Sequence, residues 1–169
     1  MSTNNAQLIN QDSGDFEYYT PKFIIDAARE VMGSIDLDPF SSEKANKIVG
    51  AKEFYSSHGL DRTWSGKVWM NHPFSRTMNP LCINKLIEEY HHGGVIEACC
   101  ITFAATSEIW FSPLHNYPQC YLVPRTNFYK ADGTKKKGVT KGSVVTYLGD
   151  YIDSFVENFE PLGAVKIPL

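Results

Sequence analysis

The residues best suited to chemistry are Asn71-His72-Pro73-Phe74, which directly follow the apolar run Lys67-Val68-Trp69-Met70. An exocyclic amine on a base is conjugated with its ring, so its lone pair is poorly available to an electrophile. Acceptors that hold the amine hydrogens favour the pyramidal, nucleophilic form. The Oδ1 of Asn71 is one such acceptor and the backbone carbonyl of His72 another. Pro73 stiffens the turn, and Phe74 is placed to stack on a base flipped out of its helix. The plain structural alternative is a strand-to-loop turn with an Asn-mediated backbone bond and a core phenylalanine.

Two upstream segments carry related chemistry. In Asp36-Leu37-Asp38-Pro39-Phe40-Ser41-Ser42, a carboxylate at a strand end suits an ammonium group or ribose hydroxyls, and Asp36, Asp38 and Ser41 are the candidates. A turn-capping Asp is the alternative. Tyr18-Tyr19-Thr20-Pro21 reads locally as a helix start, with Thr20 as cap and Pro21 at the first helical position. The functional reading puts Tyr19, Thr20 and Pro21 in the pocket of a methyl donor.

The elements that must position these groups alternate between strand and helix. Phe23, Ile24, Ala27, Ala28 and Val31 recur at helical spacing until Gly33 ends the run. Strands are expected at 34–38, 67–70, 95–103, 119–123, 143–149 and 164–167. Helices are expected at 79–90, 107–114 and 151–159, with a loop entering a short helix or turn at 41–46. The run Val95–Phe103 is the most hydrophobic and reads as a buried central strand. This alternation predicts an α/β fold with a mostly parallel sheet flanked by helices. In such sheets ligands bind beyond the carboxyl ends of the strands, where both polar motifs lie. Residues 1–14 read as a loose polar arm and 15–169 as one domain.

Composition narrows the class. The chain has 169 residues, 43% hydrophobic and 13% aromatic, enough to fold around an ordinary core. No apolar run approaches the ~20 residues of a membrane span, and the polar start lacks a secretory segment, so the expected location is the cytoplasm. The four cysteines, Cys82, Cys99, Cys100 and Cys120, lack zinc-site spacing and are expected to be reduced and structural. No metal is expected. The net charge of −3 hides a basic stretch with Lys130, Lys135, Lys136, Lys137 and Lys141, and Arg125 just upstream. Arg76, Arg125, Lys130, Lys135, Lys136 and Lys137 are the candidate phosphate contacts; a solvated surface loop is the alternative.

Taken in order, these pieces resemble a known family. They are Tyr19-Thr20-Pro21, the run Leu37 to Asn46, Phe54-Tyr55, Gly59-Leu60, the run Trp64 to Trp69, and Asn71 to Ser75. The pattern is similar to the short DNA adenine-N6 methyltransferases of bacteriophages, covers roughly 15–90 and thins beyond. The resemblance implies a Rossmann-like methyltransferase fold, S-adenosylmethionine as donor and duplex DNA with a flipped adenine as acceptor. It implies a catalytic tetrapeptide at Asn71, His72, Pro73 and Phe74, and donor binding by Tyr19, Thr20, Pro21 and Asp38. A phage origin would place the protein in the bacterial cytoplasm.

One departure stands out: the family usually has proline where this chain has His72. The carbonyl survives that change, but the turn loses rigidity. A non-catalytic protein that binds DNA or a host protein is therefore the alternative, and cytosine N4, RNA or a protein amide are alternative acceptors. No separate recognition domain is visible. Sequence preference must then come from loops such as 127–141 or from a second subunit, as in a homodimer.

Overall fold

The computed structural model describes residues 18–130, 132–136 and 139–169. The expected arm at 1–14 and the candidate Lys137 lie outside them. The described residues form seven strands and four α-helices. In chain order these are α1 (Lys22–Met32), β1 (Leu37–Asp38), α2 (Glu43–Val49), β2 (Glu53–Phe54), β3 (Gly66–Met70), α3 (Met78–His91), β4 (Val95–Phe103), β5 (Gln119–Leu122), β6 (Ser143–Leu148), α4 (Ile152–Phe159) and β7 (Gly163–Lys166).

The sheet order is β2-β1-β3-β4-β6-β5-β7. The strands from β2 to β4 pair in parallel, whereas β4–β6, β6–β5 and β5–β7 are antiparallel. The α/β class holds, but the sheet is mixed rather than mostly parallel. The physical reason lies in the connections. A parallel neighbour needs a crossover, usually helical. The segment from β5 to β6 contains no helix among the described residues, so β6 returns beside β5 antiparallel.

Alternation within the central strands creates two cores. Trp69, Cys99, Ile101, Val145 and Tyr147 face one side, where α1 and α4 pack through Ile24, Ala28, Phe155 and Phe159. Val68, Met70, Ala98, Cys100, Val144 and Leu148 face the other, where α3 packs through Cys82, Ile83 and Leu86. Covering both faces is why β4 is apolar at most positions, with Glu97 buried within it and bonded by the Tyr147 hydroxyl. Each fully buried aliphatic or aromatic side chain contributes roughly 1.5–3 kcal/mol. All four cysteines are buried and free, as expected, and burial pushes the Cys82 and Cys100 thiols up to about 12.

The first helix begins differently from expectation. Pro21 occupies the capping position and no side chain caps the helix. Phe23 is exposed rather than on the buried stripe. Gly33 closes the helix with φ of 78°, a left-handed conformation open to glycine. The expected helix at 107–114 is instead a set of turns followed by a 3₁₀ segment, Ser112–Asn116.

Candidate active site

The chain runs from β1 outward to β2 and then back across to β3 on the other side of β1. Strand order therefore reverses between β1 and β3, and a crevice opens beyond the carboxyl ends of strands at such a point. Asp38 ends β1 and Asn71 directly follows β3. A cavity of about 850 Å³ lies there. Tyr19, Thr20, Asp38, Ser41, Asn71, His72, Pro73, Phe74 and Lys136 all line it. Segments that share no local sequence thus converge on one site.

The floor is built by short-range bonds. Ser42 caps α2 by accepting from the Ala45 amide at 3.1 Å. Asn46 closes the end of that helix onto both backbone groups of Ala51. The segment 55–61 then lies over Pro39 and Phe40. Gly59 permits this approach, since a Cβ there would stand 2.2 Å from the Pro39 carbonyl oxygen. Trp64 locks the segment by donating its indole N–H to the Gly59 carbonyl at 2.8 Å.

Asp38 is 2% exposed and lines the cavity. Its Oδ1 accepts from the Phe40 amide at 3.1 Å, and the Ser41 hydroxyl bonds the same carboxylate. Burial outweighs these bonds and pushes the carboxyl up to about 7. A buried carboxyl with no cation beside it among the described residues suits a ligand that brings a cation or hydroxyl donors.

Asn71 donates Nδ2 to the Thr20 hydroxyl at 3.1 Å. Thr20 is therefore not a helix cap but a holder of Asn71. With Nδ2 so engaged, Asn71 Oδ1 stays open as an acceptor among the described residues, the atom an amine needs. His72 is 2% exposed, and its Nε2 lies 2.9 Å from Asn79 Oδ1. Burial pulls its imidazole down to about 4, so it is neutral at physiological pH. Phe74 is also buried, edge-on to His72 at 4.9 Å and tilted on Phe103 at 4.6 Å. Its expected exposure is corrected: the ring packs as part of the cavity wall.

Other candidates fall outside the cavity. Pro21 is buried and sets the helix start. Asp36 precedes β1 and does not line the cavity: it accepts from Lys52 Nζ at 2.6 Å and from the Lys67 amide at 2.9 Å. Lys52 holds its carboxyl below the usual range. Arg76 is exposed in the turn before α3. Arg125 is exposed and donates to the Val139 carbonyl at 3.4 Å. Lys135 lies over the Tyr129 ring at 5.8 Å, and Lys130 lines a separate shallow groove with Lys22 and Lys44.

The basic stretch does reach the site through its other end. Tyr129 and Tyr19 exchange backbone hydrogen bonds at 2.7 and 2.9 Å, which folds the loop against Thr20. Lys136 then lies over the Tyr18 ring at 4.9 Å and Lys141 over Phe103 at 5.1 Å, both at the cavity wall. Lys141, Tyr18, Phe103 and Phe128 were not among the expected site residues. The Lys141 charge and the Tyr18-Tyr19 pair were signals, whereas Phe103 and Phe128 look like ordinary core in sequence. His58 also lines the cavity, with a left-handed φ of 56° that few non-glycine residues adopt.

Among the described residues no cluster of His, Cys, Asp and Glu could hold a metal ion. No helix among them is long and apolar enough to cross a membrane. No curated protein matches the chain by sequence. The model of one family, DNA N-6-adenine-methyltransferase (Dam), matches residues 8–158, well beyond the stretch that carries the motif pattern. That match spans both halves of the mixed sheet and every wall of the cavity, and the chain belongs to the DNA N-6-adenine-methyltransferase family.

Proposed function

We propose that this chain transfers a methyl group from S-adenosylmethionine to adenine N6 in DNA, on a Rossmann-like sheet whose β1 and β3 ends form the site. The observation that carries the reading is the Thr20–Asn71 hydrogen bond inside a cavity that also contains the buried Asp38 carboxylate. It joins a donor-side segment to an acceptor-side amide.

The residues fit the donor. Asp38 supplies an ionisable acceptor for hydroxyls or an ammonium, and Phe40, Tyr55 and Trp69 supply apolar wall. The cavity lies toward the upper end of the roughly 300–1,000 Å³ typical of small-molecule sites. When bound, S-adenosylmethionine supplies an electrophilic sulfonium methyl. The chain's own work is positional. Asn71 Oδ1 and the His72 carbonyl hold the two amine hydrogens and direct the nitrogen lone pair toward that methyl. Thr20 fixes the Asn71 amide, and Pro73 fixes the turn. The neutral His72 ring, bonded to Asn79, supplies neither acid nor base at physiological pH. Lys136 and Lys141 at the rim supply phosphate contacts although the chain is acidic overall.

Titration calorimetry with S-adenosylmethionine and with S-adenosylhomocysteine tests the donor half. Micromolar binding that is lost in Asp38→Ala supports the reading. A folded protein with no affinity for either compound, in the presence or absence of duplex DNA, overturns it.

A further inference from the structure

The residue at the second position of the motif is a histidine whose carbonyl serves the proposed transfer but whose side chain does not. The imidazole is buried beneath the turn that carries Asn71 and Pro73. One nitrogen, Nε2, meets Asn79 Oδ1 at 2.9 Å, and Asn79 is itself 9% exposed in the first turn of α3. The other nitrogen, Nδ1, is buried with no hydrogen-bond partner among the described residues. Since Asn79 Oδ1 can only accept, Nε2 carries the proton and Nδ1 is a bare lone pair. The ring edge rests on Phe74. The turn is also stitched to α3 through Ser75, whose hydroxyl accepts from the Met78 amide and whose carbonyl accepts from the Asn79 amide, both at 2.9 Å.

We propose that His72 is a positioning residue: its buried side chain, tied to Asn79, holds the His72 backbone carbonyl and the Asn71 side chain in place, supplying by a tertiary hydrogen bond the stiffness that a ring in the backbone would supply by covalent constraint. This rests on the methyl-transfer reading for its kinetic consequence but not for its structural one. The same buried ring contributes packing, so a plain truncation of His72 would mix the two. Asn79 offers the cleaner cut, because it touches His72 from a different element and does not line the cavity.

The test is a double-mutant cycle with N79L, H72P and H72P/N79L. N79L should lower kcat by tenfold or more while the S-adenosylmethionine Kd stays within twofold. H72P removes the tether together with the imidazole and puts a ring in the backbone in its place, so its own kcat, at whatever level, sets the baseline for the second half of the cycle. In the H72P background, N79L should then change kcat by less than twofold. An equal loss in both backgrounds, or no loss in either, overturns the proposal. A second readout does not require turnover. Hydrogen exchange at the Asn71 and Phe74 amides should accelerate in N79L and return to the wild-type rate in H72P/N79L. If wild-type protein transfers no methyl group yet the exchange cycle behaves as stated, the function reading fails and the positioning role stands. If exchange is unchanged by N79L, the positioning role fails whatever the activity.

Discussion

Replacing Asp38 with asparagine separates what the buried carboxylate does for a ligand from what it does to stability. The carboxyl sits at about 7 in the folded chain against an ordinary 3.8. Between those pH values the native state keeps a proton that the unfolded chain has released. Asp38 therefore favours folding at low pH, and that contribution is lost as pH rises toward 7. At about 1.4 kcal/mol per tenfold change in acid strength, ionised Asp38 disfavours the native state by about 4 kcal/mol above pH 7. His72 acts in the opposite sense. Its imidazole lies at about 4 against 6.5, so the unfolded chain takes up a proton that the native chain refuses, and stability falls as pH drops through that window. In the wild type the two groups nearly cancel between pH 4 and 6.5. Asparagine keeps an oxygen for the Phe40 amide and removes the charge. Urea unfolding of Asp38→Asn and wild type at pH 4.5, 6 and 8 should show the variant gaining relative stability as pH rises, by about 3 kcal/mol across the range. The variant alone should become less stable on acidification, because His72 is then unopposed. S-adenosylmethionine affinity should fall in the variant, and wild-type binding near pH 7 should release a proton, visible as a dependence of binding heat on buffer. A stability difference that is flat with pH would refute the argument that Asp38 is held protonated by burial.

Other expectations follow from the same geometry. Thr20→Val removes the partner of the Asn71 amide with little change in shape; it should cost about tenfold in methyl transfer, read as kcat, with donor affinity nearly intact. Lys141→Ala and Lys136→Ala should each weaken DNA binding and reduce the salt dependence of the affinity by about one unit of slope, measured by titration at several salt concentrations. Arg125→Ala should do less, since its guanidinium is already engaged with Val139. The four buried thiols should resist alkylation in the native protein and react once it is unfolded, as read by mass shift.

Much of the site was legible in sequence because its parts sit at strand ends, and strand ends are marked by the switch from apolar to polar residues. The runs before Asp38 and Asn71 showed this plainly. Helices α1, α3 and α4 were legible from periodicity, while β2, two residues long and half-exposed, offered no pattern. Strand direction was not legible. The Ser143–Leu148 strand is buried on both faces and reads as parallel by composition, though it runs antiparallel to β4. The pairing of Thr20 with Asn71, across 51 positions, could not be read locally, and Thr20 looked like a cap for that reason. Phe74 looked like an exposed ring because nothing in sequence announced that Phe103 would close over it. The basic loop was legible as candidate phosphate contacts, but which of its lysines reach the cavity was not. The Tyr19–Tyr129 bridge and the Lys136 amide bond to the Phe128 carbonyl bring Lys136 to the cavity, and Gly142, bonded to the Ala104 amide beside β4, brings Lys141 there.

The most direct test of the central claim is nucleoside analysis of duplex DNA after incubation with the purified protein and isotopically labelled S-adenosylmethionine. Wild-type protein should yield labelled N6-methyladenine and Asn71→Ala none, although the variant's unfolding transition should remain cooperative. Labelled N4-methylcytosine in place of N6-methyladenine would contradict the acceptor assignment, and a donor-bound, folded wild type that leaves the DNA unlabelled would contradict the activity itself.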